Sequence, residues 1–145
     1  MFELHTQLAK DCVLLGDLPL CRVLLMNDEL YPWLILVPRR EQIAEIFQLS
    51  RLDQQQLMDE ASSVASVLAG HFCADKMNVA ALGNMVPQLH LHIIVRYRGD
   101  AAWPRPVWGA APAQLYTDEL LAQRQQELEM LLVPLGLQWG AGHSA

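Results

Sequence analysis

The chain has 145 residues, 52% of them hydrophobic, and a formal net charge of -6. That is enough apolar material for one core and too little for two, and the acidic balance lacks the broad cationic field that a phosphate backbone requires, which argues against nucleic acid as a primary partner. The three cysteines, Cys12, Cys21 and Cys73, are widely spaced with no C-x-x-C pair; they read as packing residues in a reducing compartment, with neither a disulfide framework nor a zinc knuckle.

The N-terminal segment has early acids and no apolar signal core, and no uninterrupted apolar run approaches membrane-spanning length. The expectation is a cytoplasmic protein without membrane contact, one domain over residues 1–145. Residues 3–11 can form a short helix, and Cys12-Val13-Leu14-Leu15 is a strand-like run closed by the turn residues Gly16, Asp17 and Pro19. Residues 20–26 and 33–37 are two further apolar runs on either side of the polar corner Asn27-Asp28-Glu29, a hairpin pattern whose second strand is bracketed by Pro32 and Pro38. Residues 41–49 read as a short helix. Ser50 reads as the N-cap of a longer one ending near Cys73, on which Leu57, Ala61, Val64, Leu68 and Phe72 recur at helical spacing as a core stripe.

Residues 76–82 then read as a strand, Gly83-Asn84 as a turn, and residues 87–98 as the strand that follows. Residues 99–114 are rich in Ala, Pro, Gly and Trp, which cannot sustain a helix or a central strand, so a long packed loop is predicted. Thr117 caps a helix to about Leu132, with Leu121, Leu128, Leu131 and Leu132 as its apolar face, and residues 140–145 read as a frayed end. Two basic pairs, Arg39-Arg40 and Arg96 with Arg98, are either solvated strand ends or parts of a local anion site.

The chemistry concentrates in the stretch Gln88-Leu89-His90-Leu91-His92-Ile93-Ile94. Strand side chains alternate between faces, so Leu89, Leu91, Ile93, Val95 and Tyr97 form a core face, while Gln88, His90, His92, Ile94, Arg96 and Arg98 point the other way. Three readings of the histidines remain open. They are satisfied, partly buried imidazoles; or they ligate a metal, for which His5, His71, His143 and the cysteines supply no third ligand at suitable spacing; or one of them attacks phosphorus while its neighbours bind the phosphate oxygens.

The block Gly83-Asn84-Met85-Val86-Pro87-Gln88-Leu89-His90-Leu91-His92-Ile93-Ile94 resembles the signature of the histidine triad (HIT) superfamily, and residues 24–28 and 34–40 resemble that family's nucleotide-facing hairpin. The resemblance spans residues 10–100, with the C-terminal loop and helix over residues 99–135 outside it. It implies an α+β, HIT-like fold: an antiparallel sheet of about five strands with flanking helices. It also implies a homodimer; no cofactor and no metal are expected. His90 would be the nucleophile, forming a nucleotidyl-histidine, and His92 would contact the α-phosphate and leaving group. Asn27 or Asp28 would hold the ribose hydroxyls, and Asn84 the phosphate.

The departures are Gln88 in place of the first histidine, Met85 where a hydroxyl residue is common, and Pro32-Trp33-Leu34 in place of Pro-Gly-His. Gln88 still donates and accepts hydrogen bonds but carries no proton at neutral pH. Trp103, Trp108 and Trp139 read as packing plugs, the alternative being cover for a nucleotide base. The expected function is a nucleotide-binding hydrolase or nucleotidyl transferase acting on a nucleotide conjugate, with Gln88, His90 and His92 catalytic. The alternative is a nucleotide-binding module that turns over weakly.

Overall fold

The computed structural model describes residues 1–139. Its apolar runs pair into a single sheet formed by β1 (Cys12–Asp17), β2 (Cys21–Met26), β3 (Trp33–Pro38), β4 (Lys76–Ala80) and β5 (Leu91–Arg96). The spatial order is β1-β2-β3-β5-β4 and every neighbouring pair is antiparallel. Among the described residues three α-helices accompany it: α1 (Thr6–Asp11), α2 (Arg51–Phe72) and α3 (Asp118–Leu132). This is the α+β architecture that the motif implies. Among the described residues no helix is long and apolar enough to cross a membrane.

Sheet pleating sorts the side chains into two cores. On one face Val23, Leu25, Leu34, Leu36, Leu91, Ile93 and Val95 meet Leu57, Ala61, Val64 and Leu68 of α2 and Leu128 and Leu132 of α3. The opposite face was expected to be polar along the motif strand. Instead Leu24, Trp33, Ile35, Val37 and Ile94 form a second core, closed by Leu8 of α1 and by Ala102 and Val107 of the loop after β5. All six residues of β5 are buried as a result.

Arg96 makes that second core possible, and it is neither a solvated strand end nor an anion site. Its guanidinium is 2% exposed, pairs with Asp100 at 2.7 Å, and donates to Asn78 Oδ1 and to the Arg105 carbonyl. Asp100 in turn accepts from the backbone N–H groups of Tyr97, Ala102 and Trp103. A buried charge persists only when it is paired and fully hydrogen-bonded, and here the pairing folds the loop back over the sheet.

Local chemistry sets the element ends. Ser50 Oγ caps α2 by accepting from Asp53 N, and Thr117 Oγ1 caps α3 by accepting from Leu120 N. The helix expected over residues 41–49 is reduced to one 3₁₀ turn, Ile46–Gln48. Gln42 adopts a left-handed φ of 56°, and Gln48 Oε1 accepts from Ala44 N and Glu45 N, so the segment is bound as turns; a run this short has little helical stability of its own. Cys73 is exposed, not packed in the core: it terminates α2 in the left-handed conformation, φ 50°. The strand expected over residues 76–82 stops at Ala80, and α1 starts at Thr6 because the residues before it run extended across Gln88.

At the outer edge of the sheet, β1 carries a bulge between Leu14 and Gly16. Gln138 bridges there to Asp17, with backbone bonds of 2.6 and 2.8 Å. A Cβ on Gly16 would lie 2.5 Å from the Gln138 carbonyl oxygen, so only glycine admits this approach. The frayed end expected over residues 140–145 lies outside the described residues.

Candidate active site

The motif strand starts later than its pattern suggests. Residues 87–90 precede β5, because Leu89 N donates to the Ile43 carbonyl at 2.9 Å while the Leu89 side chain enters the helix-side core. That anchoring leaves His90 at the end of an irregular segment and His92 on the regular strand, opposite Ile35 of β3 and Ala80 of β4. Both imidazoles are buried, and their ring centroids lie 5.0 Å apart with an interplanar angle of 66°.

Each ring has one nitrogen committed to a partner with a single possible role, which assigns its tautomer. His90 Nδ1 lies 2.7 Å from the Gln88 carbonyl oxygen. A carbonyl only accepts, so Nδ1 carries the hydrogen, and in the neutral ring Nε2 holds the lone pair. His92 Nδ1 lies 3.0 Å from Trp33 Nε1. An indole N–H only donates, so here Nδ1 holds the lone pair and Nε2 carries the hydrogen. With both rings neutral, the pair offers one nitrogen lone pair and one N–H donor. Burial, reinforced by the neighbouring His90, lowers the His92 pKa to about 4, so His92 is neutral at physiological pH.

Aromatic rings enclose His92. Trp108 meets it edge-on at 5.0 Å between centroids and meets Trp33 at 6.0 Å. Trp108 thus belongs to the wall of the site, while Trp103 lies over the Arg96 guanidinium at 5.6 Å and Trp139 is half-exposed near the end of the described chain. Reading the sequence assigned Trp33 no role and took Trp108 as a packing plug outside the site residues. The available signal was register: Trp33 shares its pleat direction with Ile35, in the strand adjoining the motif strand.

The other expected site residues are placed as follows. Gln88 does not turn toward the imidazoles. Its Oε1 accepts from His5 N and its Nε2 donates to the Glu3 carbonyl, both at 2.8 Å, so its side chain clasps the N-terminal segment while its backbone carbonyl serves His90. Asn27 Oδ1 accepts from Tyr116 N at 3.0 Å. Asp28 is buried, and its Oδ1 accepts from Leu30 N at 3.1 Å and Gln114 N at 3.2 Å. The hairpin corner thus anchors the segment leading into α3, a contact extended by Glu29 N on the Gln114 carbonyl. Asn84 is exposed in the turn after Gly83, whose φ of 80° suits glycine. Among the described residues no three His, Cys, Asp or Glu side chains converge in a way that could hold a metal ion.

Comparison with known proteins agrees with the fold. A family model described as HIT domain matches residues 7–99. The chain is 54% identical to a histidine triad protein from Marinobacter aquaeolei VT8, whose crystal structure superposes with a TM-score of 0.91 over 94% of this chain and 99% of that one. A histidine triad protein from Bradyrhizobium japonicum is 47% identical, with a TM-score of 0.86 over 89% and 96% of the two chains. One from Sinorhizobium meliloti 1021 is 45% identical, with a TM-score of 0.82 over 88% and 96%. No curated protein sequence matches the chain.

Proposed function

The chain belongs to the histidine triad (HIT) family, whose members are nucleotide-binding hydrolases and transferases, and on that premise we propose that it acts at the α-phosphate of a nucleotide conjugate through a covalent intermediate on His90. The observation that carries this reading is the 2.7 Å contact between His90 Nδ1 and the Gln88 carbonyl. It leaves a lone pair on Nε2, the state in which an imidazole attacks phosphorus.

In the first step Nε2 bonds to the α-phosphorus, the bond to the leaving group breaks, and its electron pair departs with that group. The ring gains positive charge, which the Gln88 carbonyl stabilises through a hydrogen bond that strengthens as the charge develops. In the second step water or another acceptor attacks phosphorus, the P–N bond breaks, its pair returns to Nε2 and the acceptor loses a proton. His92 Nε2–H is the donor assigned to the phosphoryl or leaving-group oxygen. Gln88 acts by position, through its carbonyl and its clasp on the N-terminal segment. Asn27 Nδ2 and the second carboxylate oxygen of Asp28 are assigned to the ribose hydroxyls, and Asn84 to the phosphate.

The competing reading is a nucleotide-binding module without efficient turnover, favoured by the diversion of the Gln88 amide to Glu3 and His5. Intact-mass detection of the protein mixed with nucleotide conjugates separates the two. A nucleotidyl adduct that maps to His90 and decays with product release supports the enzyme; binding without an adduct supports the module. A symmetric homodimer belongs to the same proposal, and light scattering at working concentration checks it, a monomer mass counting against it.

A further inference from the structure

A site that transfers a nucleotidyl group must also dispose of what it displaces. An oxygen leaving group of low basicity departs as an anion, whereas an amine must gain a proton as the P–N bond breaks. The question is which side chain here could supply that proton.

The histidines that the structure describes are all committed. His90 is the nucleophile, and its one N–H is held by the Gln88 carbonyl. His71 faces Glu127 between α2 and α3. His5 Nδ1 accepts from Gln7 N at the start of α1. That leaves His92, which becomes an acid only by taking a proton on Nδ1, and that atom faces the Trp33 indole N–H at 3.0 Å. An indole cannot turn its N–H into an acceptor, so a proton on Nδ1 would set two donors against each other inside a buried aromatic wall. Gln88 carries no ionisable proton. Carboxylates on this face are engaged elsewhere, Asp28 with the N–H groups of Leu30 and Gln114 and Asp100 with Arg96.

We infer that Trp33, through its indole N–H on His92 Nδ1, denies the site a protonated imidazole and so restricts it to conjugates whose leaving group departs as an anion, such as a phosphate, a carboxylate or an acidic phenolate. Trp33 is a positioning residue here: it acts through His92, which keeps its Nε2–H as a neutral hydrogen-bond donor. The inference rests on the proposed nucleotidyl transfer at His90.

The test compares two conjugates of one nucleoside monophosphate on one preparation, the p-nitrophenyl ester and the phosphoramidate of a primary amine. The wild-type chain should favour the ester in kcat/KM by at least about 100-fold, the lower end of what a positioned general acid supplies. In Trp33→Phe the donor is gone, His92 can be protonated, and the ratio should narrow by about tenfold or more. A general loss of packing would lower both rates and leave their ratio unchanged. Nitrogen NMR of the wild-type protein gives a measurement independent of the variant: His92 should show an unprotonated Nδ1 and a protonated Nε2 down to about pH 5, consistent with its lowered pKa. Equal wild-type rates on both conjugates, a ratio unmoved in folded Trp33→Phe, or a protonated Nδ1 would overturn the inference while leaving nucleotidyl transfer intact. Absence of an adduct from either conjugate would overturn the proposed function and the inference with it.

Discussion

His92 and Arg96 stand on the same face of one strand with only Ile94 between them, and both are buried, yet they solve the problem of burial in opposite ways. Arg96 keeps its charge because a carboxylate, a carboxamide and a carbonyl meet its donors. His92 gives its charge up because burial disfavours the imidazolium and the neighbouring His90 adds to that, while its Nδ1 faces an indole N–H. The first arrangement builds structure, by tying the loop after β5 to the sheet. Under the proposed nucleotidyl transfer the second serves reactivity, by keeping a neutral donor beside the nucleophile. Neighbouring sites on one strand can therefore carry opposite electrostatics when the loop above them supplies different partners.

The sharpest way to separate the two is to remove one member of each. His90→Ala should cut turnover by about 1,000-fold or more while leaving the denaturant midpoint within a few tenths molar, because a covalent role cannot be shared by a neighbour. Steady-state kinetics beside urea unfolding checks this, and retained turnover in the folded variant would sink the nucleophile assignment. Arg96→Met should do the reverse to stability: it strands Asp100 without its guanidinium and should cost about 3–5 kcal/mol, read from the urea midpoint. A loss below about 1 kcal/mol would mean that the loop does not depend on the pair.

Acid titration sharpens the same contrast. The His92 pKa is lowered to about 4 in the folded protein, against an ordinary value of 6.5, so the unfolded chain binds more protons between those values. Stability should therefore be complete above about pH 6.5 and fall as the pH drops toward 4, by about 3 kcal/mol at most. Burial alone would raise the Asp100 pKa, but Arg96 and the N–H groups of Tyr97, Trp103 and Ala102 hold it at about 2, against an ordinary value of 3.8. Its contribution is lost only below that ordinary value, as the pH falls toward 2. Urea unfolding across this range should show the two windows in sequence, and His92→Gln should remove the first and spare the second.

The smallest expected effect is at Gln88. Gln88→Ala should release the N-terminal segment at a cost of about 1–2 kcal/mol, seen as faster amide exchange at His5, whose N–H loses its acceptor. Unchanged exchange there would show that the clasp holds nothing.

These four positions also mark how far the sequence could be read. The helix α2 was legible because Ser50 caps a stripe of Leu57, Ala61, Val64 and Leu68, all local signals, and α3 was legible from Thr117 and its leucines in the same way. The hairpin of β2 and β3 and the His90–His92 pair followed from patterns within a few residues. What escaped was action at a distance. Trp33 and His92 are 59 residues apart, Gln88 and His5 83, and Asn27 and Tyr116 89. Alternation predicts which way a side chain points but not what covers it, so the even-numbered face of β5 read as polar until the loop over it was seen to form a second core. Arg96 was misjudged for the same reason, since its partner Asp100 lies in a loop whose path no local rule supplies.

The two margins of the sheet differ in a way that bears on assembly. At the β1 margin the chain's own Gln138 fills the backbone valence of Asp17, and the bare Cα of Gly16 lets it come close enough to do so. At the β4 margin Val79 is half-exposed, and among the described residues no strand follows in the sheet order. Against a foreign strand seeking a template, the Asp17 end of β1 is thus closed from within. A bulkier residue at position 16 would push Gln138 away and lay the Asp17 end of that edge open to a foreign strand.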